Sequence, residues 1–362
     1  MPIKGNKGEW SEFYAFIKIL ADKYLHAADE DLNVLEQVFY PVYKIIREEA
    51  AAGKIEFDIK ADTDNIKITD SSNNIMLVHV TDLDKKAKKL FSVIKNSDKR
   101  TFSIPLGAEL MEKLKCTQIK ANSGRKSDIK LLIHDFRYEQ DTEVGFSIKS
   151  LVGSPATLLN ASGSTNFVYR VENISDVDVK AINNIKTRSK IKDRLQAIIT
   201  RHGKLSFTSL TSDIFEHNLR NIDTILPEIL SNLLLANFMG HGSLLTELTE
   251  YLGANVNELR GFSLDETGYK IKLKNFLHNI ALGMMPNTEW DGLLQVHGGY
   301  IIVKENGEIV CYHIFNQDEF QNYLFKNTRL DTPSTTRHGF GEIYKEGENY
   351  FIKLNLQIRF NH

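Results

Sequence analysis

The stretch Ser127–Ser150, SDIKLLIHDFRYEQDTEVGFSIKS, restricts the fold more than any other part of the chain. Two runs with alternating apolar residues, Ile129–His134 and Val144–Ile148, flank a polar segment, Asp135–Thr142, that offers a packed strand little to bury. A strand, a loop and a returning strand are expected. Period-two geometry puts Val144, Phe146 and Ile148 on one face of the second strand and Glu143, Gly145, Ser147 and Lys149 on the other. Asp128 opens the partner strand, within reach of that second face. Two readings fit an acid, a hydroxyl and an ammonium on one side of a strand whose reverse is apolar. One is the solvated face of an ordinary half-buried strand. The other is metal-assisted phosphodiester hydrolysis, in which the carboxylate holds Mg²⁺ and the lysine positions water or neutralises charge building on the phosphate.

The rest of the composition narrows the class of protein. With 362 residues, the chain can form two or three domains with a large core. A hydrophobic content of 42% with 25% charged residues is that of a soluble protein. No apolar run reaches the roughly 18–20 residues of a membrane span, and MPIKGNKGEW has no apolar core of a secretory signal. Cys116 and Cys311 form no CxxC, so a reduced, cytoplasmic setting is expected. The net charge of −2 announces no nucleic-acid partner, but a local patch is enough to follow phosphates. Lys186–Lys204, KTRSKIKDRLQAIITRHGK, is such a patch: seven basic residues, among them Lys190, Lys192 and Arg194, stand against the single acid Asp193.

Elements follow from periodicity. Trp10, Phe13, Tyr14, Ile17 and Leu20 predict a helix over Glu9–Lys23, with Glu9 and Glu12 neighbours on its first turn. Val38–Ile46 is extended, Pro41 marking an edge or bend. Ile55–Ile59 and Ile66–Ile68 are strands around an Ala61–Asn65 turn, and Ile75–Val80 is another. Helices are expected over Thr81–Lys95 and Leu106–Lys115. Strands with interspersed helices indicate a mixed α/β layer. After the central hairpin, Asn160–Asn166 is rich in hydroxyls and amides, as turns are; such groups also donate to phosphates and base edges. Between Ser175 and Gly283 helices are expected over Asp193–Arg201, Asp213–Arg220, Ile225–Phe238 and Leu244–Leu252. Hairpins return at Tyr300–Val303 with Ile309–Ile314, joined by Asn306-Gly307, and at Ile343–Tyr344 with Tyr350–Phe360. Arg337 and His338 fall on a polar loop, where arginine can read guanine. The expected organisation is a core at 1–175, a helical DNA-binding region at 176–295 and a strand-helix-strand region at 296–362 packed on the core.

The chain contains no phosphate loop, GxGxxG, HExxH or GxSxG. It does resemble the HpaII family of type II restriction endonucleases along nearly its whole length. The likeness is carried by GNKGEWSEFYAF (Gly5–Phe16), FYPVYKIIREE (Phe39–Glu49), GFSIKSLVGSPATLLNASGSTNF (Gly145–Phe167), STTRHGFG (Ser334–Gly341) and KLNLQIRF (Lys353–Phe360). It implies a PD-(D/E)xK core, a mixed α/β fold with a central sheet flanked by helices, here with an added helical subdomain. It also implies Mg²⁺-dependent cleavage of duplex DNA at CCGG leaving 5′-phosphates, a partner DNA methyltransferase, and a homodimer as one way to match a palindrome.

Residue by residue, the resemblance makes Asp128 the metal-binding aspartate and Lys149 the motif lysine. Two positions before the lysine stands Ser147, where the pattern has a carboxylate, and a serine cannot replace that charge at Mg²⁺. A glutamate from elsewhere is therefore needed. Glu12 is favoured and Glu9 is second; Glu143 lies about 13 Å along the strand from Ser147, and Glu172 ends the next strand. DNA contacts are expected from Asn160, Ser162, Ser164, Thr165 and Asn166, from Lys190, Lys192 and Arg194, and from Arg337 and His338. The competing expectation is a DNA-binding protein of nuclease fold that does not cleave.

Overall fold

The structure is a computed structural model that describes residues 3–50, 53–59, 65–79, 82–121, 127–137, 139–256, 258–296 and 298–361. It divides into two compact units, one of residues up to 156 with 294–323, the other of 157–293 with 324–361. These differ from the expected segments 1–175, 176–295 and 296–362, because hydrogen bonding divides the last of them. Its hairpin Gly299–Val303 and Ile309–His313 completes the first unit's sheet, whereas Asn349–Asn355 pairs with Asn166–Glu172 in the second.

The first unit runs α1 (Lys7–Asp22), β1 (Tyr24–Ala28), β2 (Val34–Glu49), β3 (Gly53–Asp58), β4 (Asn65–Thr69), β5 (Ile75–His79), α2 (Leu83–Asn96), α3 (Pro105–Lys113), β6 (Ile129–Asp135) and β7 (Gln140–Ser150). Its nine-stranded sheet has the order β1, 309–313, 299–303, β7, β6, β2, β3, β4, β5. The pairings of 309–313 with β1 and of 299–303 with β7 are parallel and the others antiparallel, so the sheet is mixed, as expected. Pro41 stands where β2 passes from β1 to β6 as its neighbour, a place where a missing N–H disturbs the ladder least. The Ala61–Asn65 turn lies, apart from Asn65, outside the described residues.

α1 begins at Asn6, whose side chain accepts from Glu9 N while its own N–H donates to Glu9 Oε2 at 2.7 Å, a closed capping box. Trp10 Nε1 donates to Phe102 O at 3.0 Å and is fully buried, with Phe13, Phe16, Ile17 and Ile19 buried beside it. Burial of that stripe, at about 1.5–3 kcal/mol per large side chain, holds the helix against α2 and β7. The β6–β7 hairpin is longer than its composition predicts. Asp135 pairs with Gln140 and His134 with Asp141, so both ends of the polar segment, Asp135 and Gln140–Thr142, are strand. A ladder open to solvent needs no apolar side chains, and a His134 Nδ1–Asp141 Oδ1 contact of 2.8 Å ties the two strands there.

The second unit mixes helices with sheet, and two of its helices, Asp176–Asn183 and Glu266–Leu282, are additional to the four expected. It contains helices at Asp176–Asn183, Lys190–Thr200, Asp213–Ile222, Leu226–Met239, Leu245–Asn255 and Glu266–Leu282. With them are a four-stranded sheet in the order 204–210, 166–172, 349–355, 343–346 and a three-stranded one in the order 328–330, 358–360, 157–159. Lys204–Leu210, Thr157–Leu159 and Thr328–Leu330 are unforeseen strands, and Tyr350–Phe360 divides between both sheets. Leu226–Met239 is the central helix, buried on almost every side, with Tyr169 donating to Ser231 O at 2.7 Å. No single helix among the described residues is long and apolar enough to cross a membrane; a pair that passes together is bent by 107°.

Candidate active site

Three parts of the first unit bring charged side chains to one point. The β6–β7 register pairs Ile129 with Phe146, which sets Asp128 opposite Ser147, and Asp128 N–H donates to Phe146 O at 2.8 Å. Asp128 Oδ2 then accepts from Ser147 Oγ at 2.9 Å and from Ile148 N–H at 2.8 Å. Both donors come from β7, so the carboxylate has one orientation and its Oδ1 points away from the strand pair. Ser147 is buried and acts through Asp128, taking no charge itself.

The second acid comes from α1. Lys120, in the segment after α3, places Nζ 3.2 Å from Glu12 Oε1 and 3.2 Å from Asp128 Oδ1. Glu12 Oε2 is buried and has no hydrogen-bond partner among the described residues. Burial first, and the Asp128 charge second, push the Glu12 carboxyl up to about 7, with Lys120 and Lys149 opposing. Lys149 forms no hydrogen bond or ion pair among the described residues; its Nζ lies 5.3 Å from the centroid of the buried Tyr300 ring. Tyr300 pairs with Ser147 on the neighbouring parallel strand, hence its place under that face of β7. Burial lowers the Lys149 pKa, against the pull of Asp128 and Glu12. A lysine of lowered pKa beside a glutamate of raised pKa, with a second carboxylate next to them, is the kind of cluster that reactive sites contain.

The other candidate acids are elsewhere. Glu9 closes the capping box of α1. Glu143 is exposed near the turn end of β7, where its charge acts on Lys54. Glu172 belongs to the second unit and lies 3.6 Å from Arg170 Nε. Among the described residues no three His, Cys, Asp or Glu side chains converge on a metal position. Two hard carboxylates, one with an orphaned buried oxygen, nevertheless fit Mg²⁺, which takes one or two protein carboxylates and fills its remaining positions with water and phosphate oxygen. Lys120 was not foreseen. It is a lysine in an irregular stretch, and nothing in local pattern distinguishes it from its neighbours.

The expected DNA contacts separate into two groups. Arg194 is fully buried and donates to the carbonyls of Gly341, Asn183 and Ile185 and to Glu342. It holds the second unit together and is not a DNA contact. Arg194→Met is expected to cost about 3 kcal/mol or more, read as a lower urea midpoint, because three carbonyls lose their donor. Thr165 and Asn166 are likewise buried in structure. Thr165 Oγ1 bonds with the Ser162 backbone, and Asn166 Nδ2 donates to His338 O. Asn160 is exposed, Ser162 and Ser164 are partly so, and Arg337 is exposed beside a half-buried His338 on a short helix capped by Ser334. Lys190 and Lys192, with Arg188, Asn237, Thr332 and Ser334, line a cleft of about 520 Å³ in the second unit.

Comparison with known proteins gives this chemistry its class. The family model described as HpaII restriction endonuclease matches residues 6–360. Type II restriction enzyme HpaII of Haemophilus parainfluenzae is 42% identical over 358 residues, covering 98% of this chain and 98% of that protein. No solved structure matches significantly. The protein is a site-specific endonuclease. More narrowly, the chain belongs to the HpaII restriction endonuclease family.

Proposed function

We propose that this endonuclease hydrolyses phosphodiester bonds of duplex DNA at CCGG in a Mg²⁺-dependent reaction that leaves 5′-phosphates. The meeting of Glu12, from α1, with Asp128 and Lys149, from the β6–β7 hairpin, carries the reading. The same set supports a PD-(D/E)xK core in which Ser147 stands in the acidic position and Glu12 replaces the missing charge.

Glu12 and Asp128 would hold the metal through their carboxylates, which meet on either side of Lys120. When bound, Mg²⁺ supplies Lewis-acid polarisation of the phosphate and neutralises charge on the departing oxygen. Ser147 and the Ile148 N–H hold Asp128 in place throughout. Lys149, with its lowered pKa, orients the attacking water and helps remove its proton. The water attacks phosphorus in line, the bond to the 3′ oxygen breaks, and the phosphate stays on the 5′ end. Two copies acting on the two strands suit a palindrome. A DNA methyltransferase protecting the same sequence would be the cellular partner, and the cytoplasm the compartment.

Mapping the ends produced from DNA of known sequence tests the whole reading. Discrete 5′-phosphorylated ends at CCGG, absent with EDTA, are expected. Sequence-specific binding with no cut at any Mg²⁺ concentration would favour the non-cleaving alternative. The basic cleft makes a separate expectation. Lys190→Ala and Lys192→Ala should weaken binding about equally on cognate and unrelated DNA and each reduce the salt slope by about one, measured by fluorescence anisotropy across salt concentrations.

A further inference from the structure

We propose that Lys120 is a tethered counter-ion, which fills the metal position of the metal-free protein and has to leave before a divalent cation binds. The inference rests on the reading of Glu12 and Asp128 as metal ligands and adds a residue that opposes the metal. A single ammonium stands 3.2 Å from Glu12 Oε1 and 3.2 Å from Asp128 Oδ1. The acid side chains are only 17% and 10% exposed, whereas Lys120 is 45% exposed. Two carboxylates brought together in so poorly hydrated a place repel each other unless a cation lies between them. The protein supplies its own.

Mg²⁺ takes carboxylate oxygens at about 2.1 Å. It therefore needs the space between these two oxygens that the ammonium occupies, and the two cations repel at that range. Departure of Lys120 leaves the rest intact, because Asp128 Oδ2 stays fixed by Ser147 and Ile148. Lys120 lies outside any helix or strand, so it can leave by rotating its own side chain towards solvent. Lys149 differs, having no carboxylate within ion-pair distance among the described residues while resting over Tyr300. The two lysines thus divide the work. One serves the reaction, and the other competes with the metal.

Titration calorimetry of the whole, DNA-free protein with Mn²⁺ as the probe, at one fixed alkaline pH, tests the proposal. Removing the tether raises the fraction of sites competent to bind, so Lys120→Met should bind Mn²⁺ about tenfold more tightly than wild type. Lys120→Arg, which keeps the charge, should stay near wild type. A cooperative melt of each variant in EDTA establishes that it is folded. Equal or weaker Mn²⁺ binding by Lys120→Met overturns the proposal. Asp128→Asn separates this failure from that of the ligand assignment. If Asp128→Asn loses Mn²⁺ and Lys120→Met gains nothing, only the counter-ion role falls. If Asp128→Asn binds Mn²⁺ like wild type, these carboxylates are not the ligands and both readings fall.

Discussion

Lys149→Ala is expected to lower the cleavage rate at least about a thousandfold while duplex binding stays within a few-fold. The asymmetry follows from what the amine touches. Among the described residues it forms no hydrogen bond or ion pair and rests over the Tyr300 ring, so its removal breaks no ion pair and leaves no buried acid newly unpaired. What disappears, on the proposed mechanism, is the amine that orients the attacking water and helps remove its proton. Lys149→Arg should restore little, because a guanidinium cannot give up its proton at ordinary pH and cannot help take one from water. Single-turnover cleavage alongside anisotropy separates the two effects. Cutting by Lys149→Ala at near wild-type rate would remove the residue from the mechanism.

Glu12→Gln is expected to have two effects, one on the reaction and one on the fold. Cleavage should fall at least about a hundredfold and need more Mg²⁺, since the metal loses one of two anionic ligands. Glu143→Gln, on an exposed stretch of strand, should cleave normally. The second effect concerns the metal-free protein. Below about pH 4.5 the Glu12 carboxyl is protonated in both folded and unfolded chains and adds no pH dependence. Between there and the folded value of about 7 the unfolded chain ionises first, binds fewer protons, and stability falls as pH rises. The full loss is on the order of 3 kcal/mol. Glu12→Gln should abolish that part of the slope in urea denaturation followed in EDTA. An unchanged slope would mean that Glu12 is already ionised in the folded protein across that window.

Much of this molecule is legible from local pattern. The α1 stripe, the β6–β7 alternation and the Asn306-Gly307 hairpin each announce themselves, because a side chain's face is set by the backbone period alone. Asp128, Ser147 and Lys149 belong to one hairpin, so their meeting follows from register. The polar end of that hairpin was harder to read, since its ladder is made by backbone groups and side-chain composition says little about it. The basic run at Lys186–Lys204 misled in one respect. Composition counts Arg194 with its neighbours, but helical phase turns it inward, where four acceptors await it.

The sequence by itself determined the family, the mixed α/β class, and the hairpin that carries Asp128 and Lys149, on which the proposed site depends. It narrowed the missing acid to a few glutamates and favoured Glu12 over Glu9. Which of the two stands beside Asp128 is a matter of tertiary structure, because they differ by less than one helical turn and the outcome hangs on how α1 is anchored. The capping box draws Glu9 back to Asn6, and Trp10 held at Phe102 fixes the rotation that delivers Glu12 to Asp128. Lys120 belongs wholly to the fold. Its partners are 108 and 8 residues away in the chain, and no short-range pattern records an attraction that exists only once two buried acids have been brought side by side.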